Sequence, residues 1–184
     1  MPPLPLPDPP LADDVLRLRP PAPADVPAIT EACQDPEIQR FTFVPCPYTE
    51  VHAAGWVADA APARTRGEAL ELVIAAAPTD VLLGTIAVQR RVPVHRTAEI
   101  GYWVAPAARG QGTAARALRL LAPWALRSLG LARVTCEIDV DNDASQRVAE
   151  AAGFTREGVL RSAIEMKGRR WTLAVHSLIA EDLA

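Results

Sequence analysis

Arg109, Gly110, Gln111, Gly112, Thr113 and Ala114 follow one another between a strand-like segment and a helix-like one. That placement gives them a chemistry of their own, the binding of an anion. The first backbone N–H groups of a helix have no partner within it, and the aligned peptide dipoles add positive potential there. Glycines let a phosphate reach the main chain without a side chain in the way. The same residues also fit a plain, tight strand-to-helix turn with no ligand, and two glycines alone do not separate the two readings.

The elements around the loop must hold it in place. Residues 98–104 alternate, with Ile100, Tyr102 and Val104 on one side and Glu99, Gly101 and Trp103 on the other, which predicts a strand. Ala105-Pro106 ends it, because proline cannot donate to a sheet ladder. After the loop, Ala114, Ala117, Leu118, Leu121 and Ala125 share one face of a helix over 113–128. Pro123 lies inside that helix and is expected to kink or divide it. Gly130 is a good C-terminal cap, and residues 133–140 read as a further strand. Asp141-Asn142-Asp143 then caps a helix over 144–152 that ends at Gly153.

Upstream, residues 1–14 are dense in proline and predict an extended, poorly ordered tail, with the folded domain spanning 15–184. A strand over 15–19 stops at Pro20-Pro21. Helical segments follow over 24–33, from Asp35-Pro36-Glu37 towards Phe41, and from a Thr49 cap until fraying by Pro62, with a polar loop at 64–67. Strands over 68–77, 81–91 and 98–104 form an antiparallel meander, with Gly84 a bulge or a point of close approach. Two strands over 154–166 and 170–179 close the chain around a turn at 167–169. The fold class is therefore mixed α/β, of the α+β type. It has a mostly antiparallel sheet of six to seven strands, helices on both faces, and one β-loop-α-β crossover in the middle.

Composition narrows the function. The 184 residues suffice for one domain with a sizeable core. A net charge of −3 argues against a dedicated nucleic-acid binder. No apolar run reaches the ~20 residues of a membrane span, and the proline-rich start does not read as a signal peptide. Cys33, Cys46 and Cys136 lack metal-ligand spacing and disulfide logic, so a reducing cytoplasm fits best. His52, His95 and His176 are too scattered for a metal site, and none is expected.

The crossover and its residues resemble the GNAT superfamily of acyl-CoA-dependent N-acyltransferases. Arg109-x-x-Gly112-x-Ala114 matches the family's loop signature in the right place. Asn142-x-x-Ser145, followed by Glu150-Ala151-Ala152-Gly153-Phe154, is similar to the pattern of the branch that contains ribosomal-protein N-terminal acetyltransferases. Leu16 to Arg19, Asp35-Pro36-Glu37 and Glu157-Gly158-x-Leu160-Arg161 resemble that branch too.

The resemblance implies acetyl-CoA as co-substrate, with its pyrophosphate on the loop 109–114. Its pantetheine would lie along the main chain near Trp103 and Val104, within reach of Asn142 and Ser145. Plain helix capping by Asn142 is the competing and compatible reading. The implied reaction is direct attack of a primary amine, on a protein N-terminus or a small molecule, upon the thioester in a ternary complex. A backbone N–H near Val104 would serve the oxyanion. That chemistry needs a base and a group for the departing thiolate. Glu99 is the first candidate base, acting through a water; its competitor is a carboxylate facing solvent or pairing with an arginine. Glu137 is second, and Glu165 lies one residue off a position used by some relatives. Many family members carry a tyrosine four residues before the Gly-Phe pair, where this chain has Ala149, so Ser145 is the candidate on the thiolate side. It equally fits a helix-start serine bonded to backbone. The branch's aspartate after the last hairpin glycine is Thr172 here. Cys136 reads as a buried strand residue before it reads as a nucleophile. Tyr102 and Trp103 are candidates to line the acceptor pocket, and core packing is the alternative. Relatives are often dimers, so a homodimer is one expectation. The rival function is a non-catalytic acyl-CoA-binding module.

Overall fold

The computed structural model describes residues 2–183. Seven strands form one sheet: β1 (Leu16–Arg19), β2 (Leu70–Ala76), β3 (Leu82–Val92), β4 (Thr97–Val104), β5 (Arg133–Asp139), β6 (Thr155–Met166) and β7 (Arg169–Ile179). Their order across the sheet is β1-β2-β3-β4-β5-β7-β6. All neighbours run antiparallel except β4 and β5, which are joined by the crossover. The helices are α1 (Val26–Ala32), α2 (Pro36–Phe41), α3 (Glu50–Arg66), α4 (Thr113–Ser128) and α5 (Asp143–Ala151).

Strand alternation sends each side chain to one of two layers. Leu70, Leu72, Ile86, Val88 and Ile100 join Ala117, Leu118 and Leu121 of α4 in the main core. On the other face α1, α2 and α3 enclose Val26, Ile29, Cys33, Ile38 and Ala53, with Trp103 of β4 packed against them. The two faces of β4 are thus committed to different layers, as the alternation predicts.

Three expectations are corrected. α4 runs undivided through Pro123, where Leu121, Ala122 and Ala125 are wholly buried, so packing outweighs the lost backbone bond. α3 likewise passes Pro62 and reaches Arg66, where Gly67 at φ 75° ends it in the left-handed conformation. The segment 2–14 lies along the fold. Leu4 is buried; its N–H donates to the Arg64 carbonyl at 3.0 Å and its carbonyl accepts from Arg64 Nη1 at 2.7 Å. The leucines between the prolines explain this: Leu4 and Leu11 both join the main core.

Candidate active site

β4 and β5 stay paired for three residues only, Thr97, Ala98 and Glu99 against Arg133, Val134 and Thr135. Beyond that point β4 follows β3 to Val104 and β5 follows β7 to Asp139. The strands part at Glu99, and a cavity of about 850 Å³ opens there. Along its floor, the β5-facing main-chain edge of residues 100–104 has no strand partner among the described residues.

One end of the cavity is the glycine loop. Pro106–Ala108 forms a single 3-10 turn, Gly110 and Gly112 follow at φ 72° and 76°, and α4 begins at Thr113. A Cβ at either glycine would meet nothing, so the left-handed backbone, not space, selects glycine there. Thr113 Oγ1 donates to the Ala108 carbonyl at 3.0 Å and pins the loop to the helix start. The first intrahelical bond is made by the N–H of Arg116 to Gly112, so the N–H groups of Thr113, Ala114 and Ala115 remain for an anion. The Arg109 guanidinium pairs with Asp35, which also caps α2 through the Ile38 N–H at 2.9 Å. Gln111 turns back to the Ala107 carbonyl at 2.9 Å and does not line the cavity.

At the apex, Glu99 is 9 % exposed. Arg90 Nη1 donates to its Oε2 at 2.9 Å, and Gln89 Nε2 lies 3.4 Å from its Oε1. Burial raises the Glu99 carboxyl above the usual carboxylate range; Arg90 opposes this and the Glu137 carboxylate adds to it. Glu137 lines the cavity from β5, on the same sheet face. Glu71 of β2 is a third carboxylate on that face, pushed up to about 7 by burial, with a hydrogen bond from Trp56 opposing the rise. Phe41, Phe43, Trp56 and Trp103 supply apolar walls.

Across the β4–β5 gap, α5 begins at the Asn142 cap, whose Oδ1 accepts the Ser145 N–H at 3.0 Å. The capping reading of Asn142 therefore holds, and its amide nitrogen has no hydrogen-bond partner among the described residues. Tyr102 points to this helix and away from the acceptor side, in contrast to the expectation for it. Its hydroxyl stands 2.8 Å from Ser145 Oγ. Cys136 is buried in the core, its thiol raised by burial.

The cavity thus brings together Glu99, Glu137, Trp103, Val104, Arg109, Gly110, Gly112, Thr113, Ala114, Asn142 and Ser145, and leaves out Gln111 and Glu165. Glu71 and Arg90 escaped the sequence reading. The signal for Glu71 was one carboxylate between leucines in a strand that otherwise reads as apolar. Among the described residues no group of His, Cys, Asp and Glu is arranged to hold a metal, and no helix is long and apolar enough to cross a membrane.

A family model described as the acetyltransferase (GNAT) domain matches residues 16–155. The ribosomal-protein-serine acetyltransferase of Escherichia coli is 40% identical over 84 residues, covering 46% of this chain and 47% of that protein. The chain spans about half the length of the first curated relatives it matches. RimL, a ribosomal alpha-N-protein acetyltransferase solved with coenzyme A, superposes with a TM-score of 0.83 at 24% identity, over 94% of this chain and 99% of that one. RimJ of Mycobacterium smegmatis, solved with a CoA disulfide, gives 0.82 at 22% identity over 95% and 87%. Those two likenesses are of fold.

Proposed function

The chain belongs to the GNAT acetyltransferase domain family, and from that premise we propose that it moves an acetyl group from acetyl-CoA to a primary amine by direct attack in a ternary complex. The observation that carries this reading is the parting of β4 and β5 at Glu99, beside a loop that offers free N–H groups. The loop 109–114 suits the pyrophosphate, and the unpaired edge of β4 suits a pantetheine chain added like a strand. Two structural neighbours were solved with coenzyme A or its disulfide, in keeping with that donor.

Acetyl-CoA supplies the thioester carbonyl. Glu99, ionised, takes the amine proton directly or through a water, and Glu137 is the alternative on the same face. The raised Glu99 carboxyl is a stronger base than an exposed one, which suits that task. The main chain near Val104, on the unpaired edge of β4, is our candidate donor to the oxyanion. Ser145, which lines the cavity from the opposite side of the gap, is our candidate for the departing sulfur. The acidic side chain of Glu137 and the aromatic walls favour an amine acceptor carrying an apolar neighbour, whether a peptide N-terminus or a small molecule.

Incubating the purified protein with acetyl-CoA and a panel of amines and N-terminal peptides tests this. Amine-dependent thiol release is the expected result. Acetyl-CoA binding without release for any amine favours a non-catalytic acyl-CoA-binding module, and absence of binding overturns both readings.

A further inference from the structure

We infer that Tyr102 is a positioning residue for Ser145, directing the serine hydroxyl hydrogen at the sulfur of coenzyme A as the thioester breaks. This rests on the function proposed above. Tyr102 reaches out of β4 on the face opposite Glu99, so the two sides of one strand would serve the two ends of one reaction. Its hydroxyl lies 2.8 Å from Ser145 Oγ and 3.2 Å from the Ser145 carbonyl oxygen. That carbonyl sits in the first turn of α5, where it accepts the helical N–H four residues on. The hydroxyl oxygen, closer and otherwise free to accept, is the better partner for the tyrosine proton.

A serine hydroxyl has one hydrogen. With Tyr102 donating to Oγ, that hydrogen is released from the protein and turns to the cavity, which both residues line. One helical turn on, the same face of α5 carries Ala149, wholly buried and with no polar side-chain atom to compete for Ser145. Burial also raises the Tyr102 phenol, so it stays a neutral donor throughout the working pH range. In the reaction the N–C bond forms, the C–S bond breaks and its electron pair goes to sulfur. The amine proton goes to the Glu99 side. Ser145 stabilises the sulfur by a hydrogen bond, and Tyr102 keeps its own proton.

Free coenzyme A is the probe, because its thiolate absorbs in the ultraviolet and the readout needs no acceptor. The full chain, Tyr102→Phe, Ser145→Ala and the double variant are each titrated with bound CoA across pH. The wild type is expected to lower the bound thiol's pKa by about one unit, the scale of one hydrogen bond to a charged group. Tyr102→Phe loses at least half of that shift, Ser145→Ala loses it all, and the double variant matches Ser145→Ala. In turnover, Tyr102→Phe lowers kcat roughly tenfold with little change in the KM for acetyl-CoA. Bound CoA whose thiol titrates alike in wild type and Tyr102→Phe overturns this inference and leaves the functional reading standing. If that variant does not fold, a Ser145→Ala titration that still shows the wild-type shift overturns it equally. A wild type that does not bind CoA overturns the functional reading and this inference with it.

Discussion

Arg90 Nη1 donates to Glu99 Oε2 at 2.9 Å from within a β-bulge. In an unbroken strand Gln89 and Arg90 would point to opposite faces. Here the register jumps between Gln89 and Val92, and Arg90 adopts φ 48°, which turns both side chains onto the same carboxylate. The bulge therefore sets the charge environment of the candidate base.

Arg90→Ala removes the cation that holds the Glu99 carboxyl down. Since a base works when ionised, the acid limb of the rate profile should move to higher pH. The shift should be modest, because a half-exposed arginine is screened. Comparing kcat/KM profiles of the two proteins with one amine measures it. An unmoved limb assigns that limb to another group.

Glu71 gives a separate pH signature in stability. Its carboxyl is raised from 4.5 to about 7 by burial, so folding favours the protonated form. The stabilisation is complete below about pH 4.5, declines as pH rises, and is gone above about 7. Glu71→Gln should match the wild type in the acid and exceed it by up to ~3 kcal/mol above pH 7. Denaturant unfolding at the two ends of that window measures the difference. A variant less stable at both ends shows that the charged form is held by contacts that glutamine cannot replace.

Gly84 is where β3 lets β4 come close. A Cβ there would stand 2.2 Å from the Trp103 carbonyl oxygen and 3.0 Å from Val104 Cα. Both obstacles are backbone, so Gly84→Ala must displace the end of β4 that edges the cavity. The expected result is a loss of roughly 1–3 kcal/mol in stability, together with weaker acetyl-CoA binding by calorimetry. Unchanged binding in a folded variant detaches that strand end from the donor site.

Local pattern carried much of this fold. The alternation of 98–104, the glycines of the loop and the Asn142 cap are all one-dimensional signals, and each appears in the structure where the pattern puts it. What escaped depends on tertiary packing. Proline propensity argued against continuous helices at Pro62 and Pro123, yet buried neighbours hold both. Proline density hid the role of Leu4, which becomes visible only once Arg64 and the core are in place beside it. The bulge at Arg90 places a cation that strand periodicity sends elsewhere. Tyr102 and Ser145 lie 43 positions apart, and only the crossover brings them together.

The most direct test of the central claim is amine-dependent thiol release by the wild type and Glu99→Gln, both saturated with acetyl-CoA and with binding checked by calorimetry. The account predicts equal acetyl-CoA affinity and a kcat lowered by about 10²–10⁴-fold in the variant, the range for loss of a general base. Wild-type turnover retained in Glu99→Gln at every pH would contradict it.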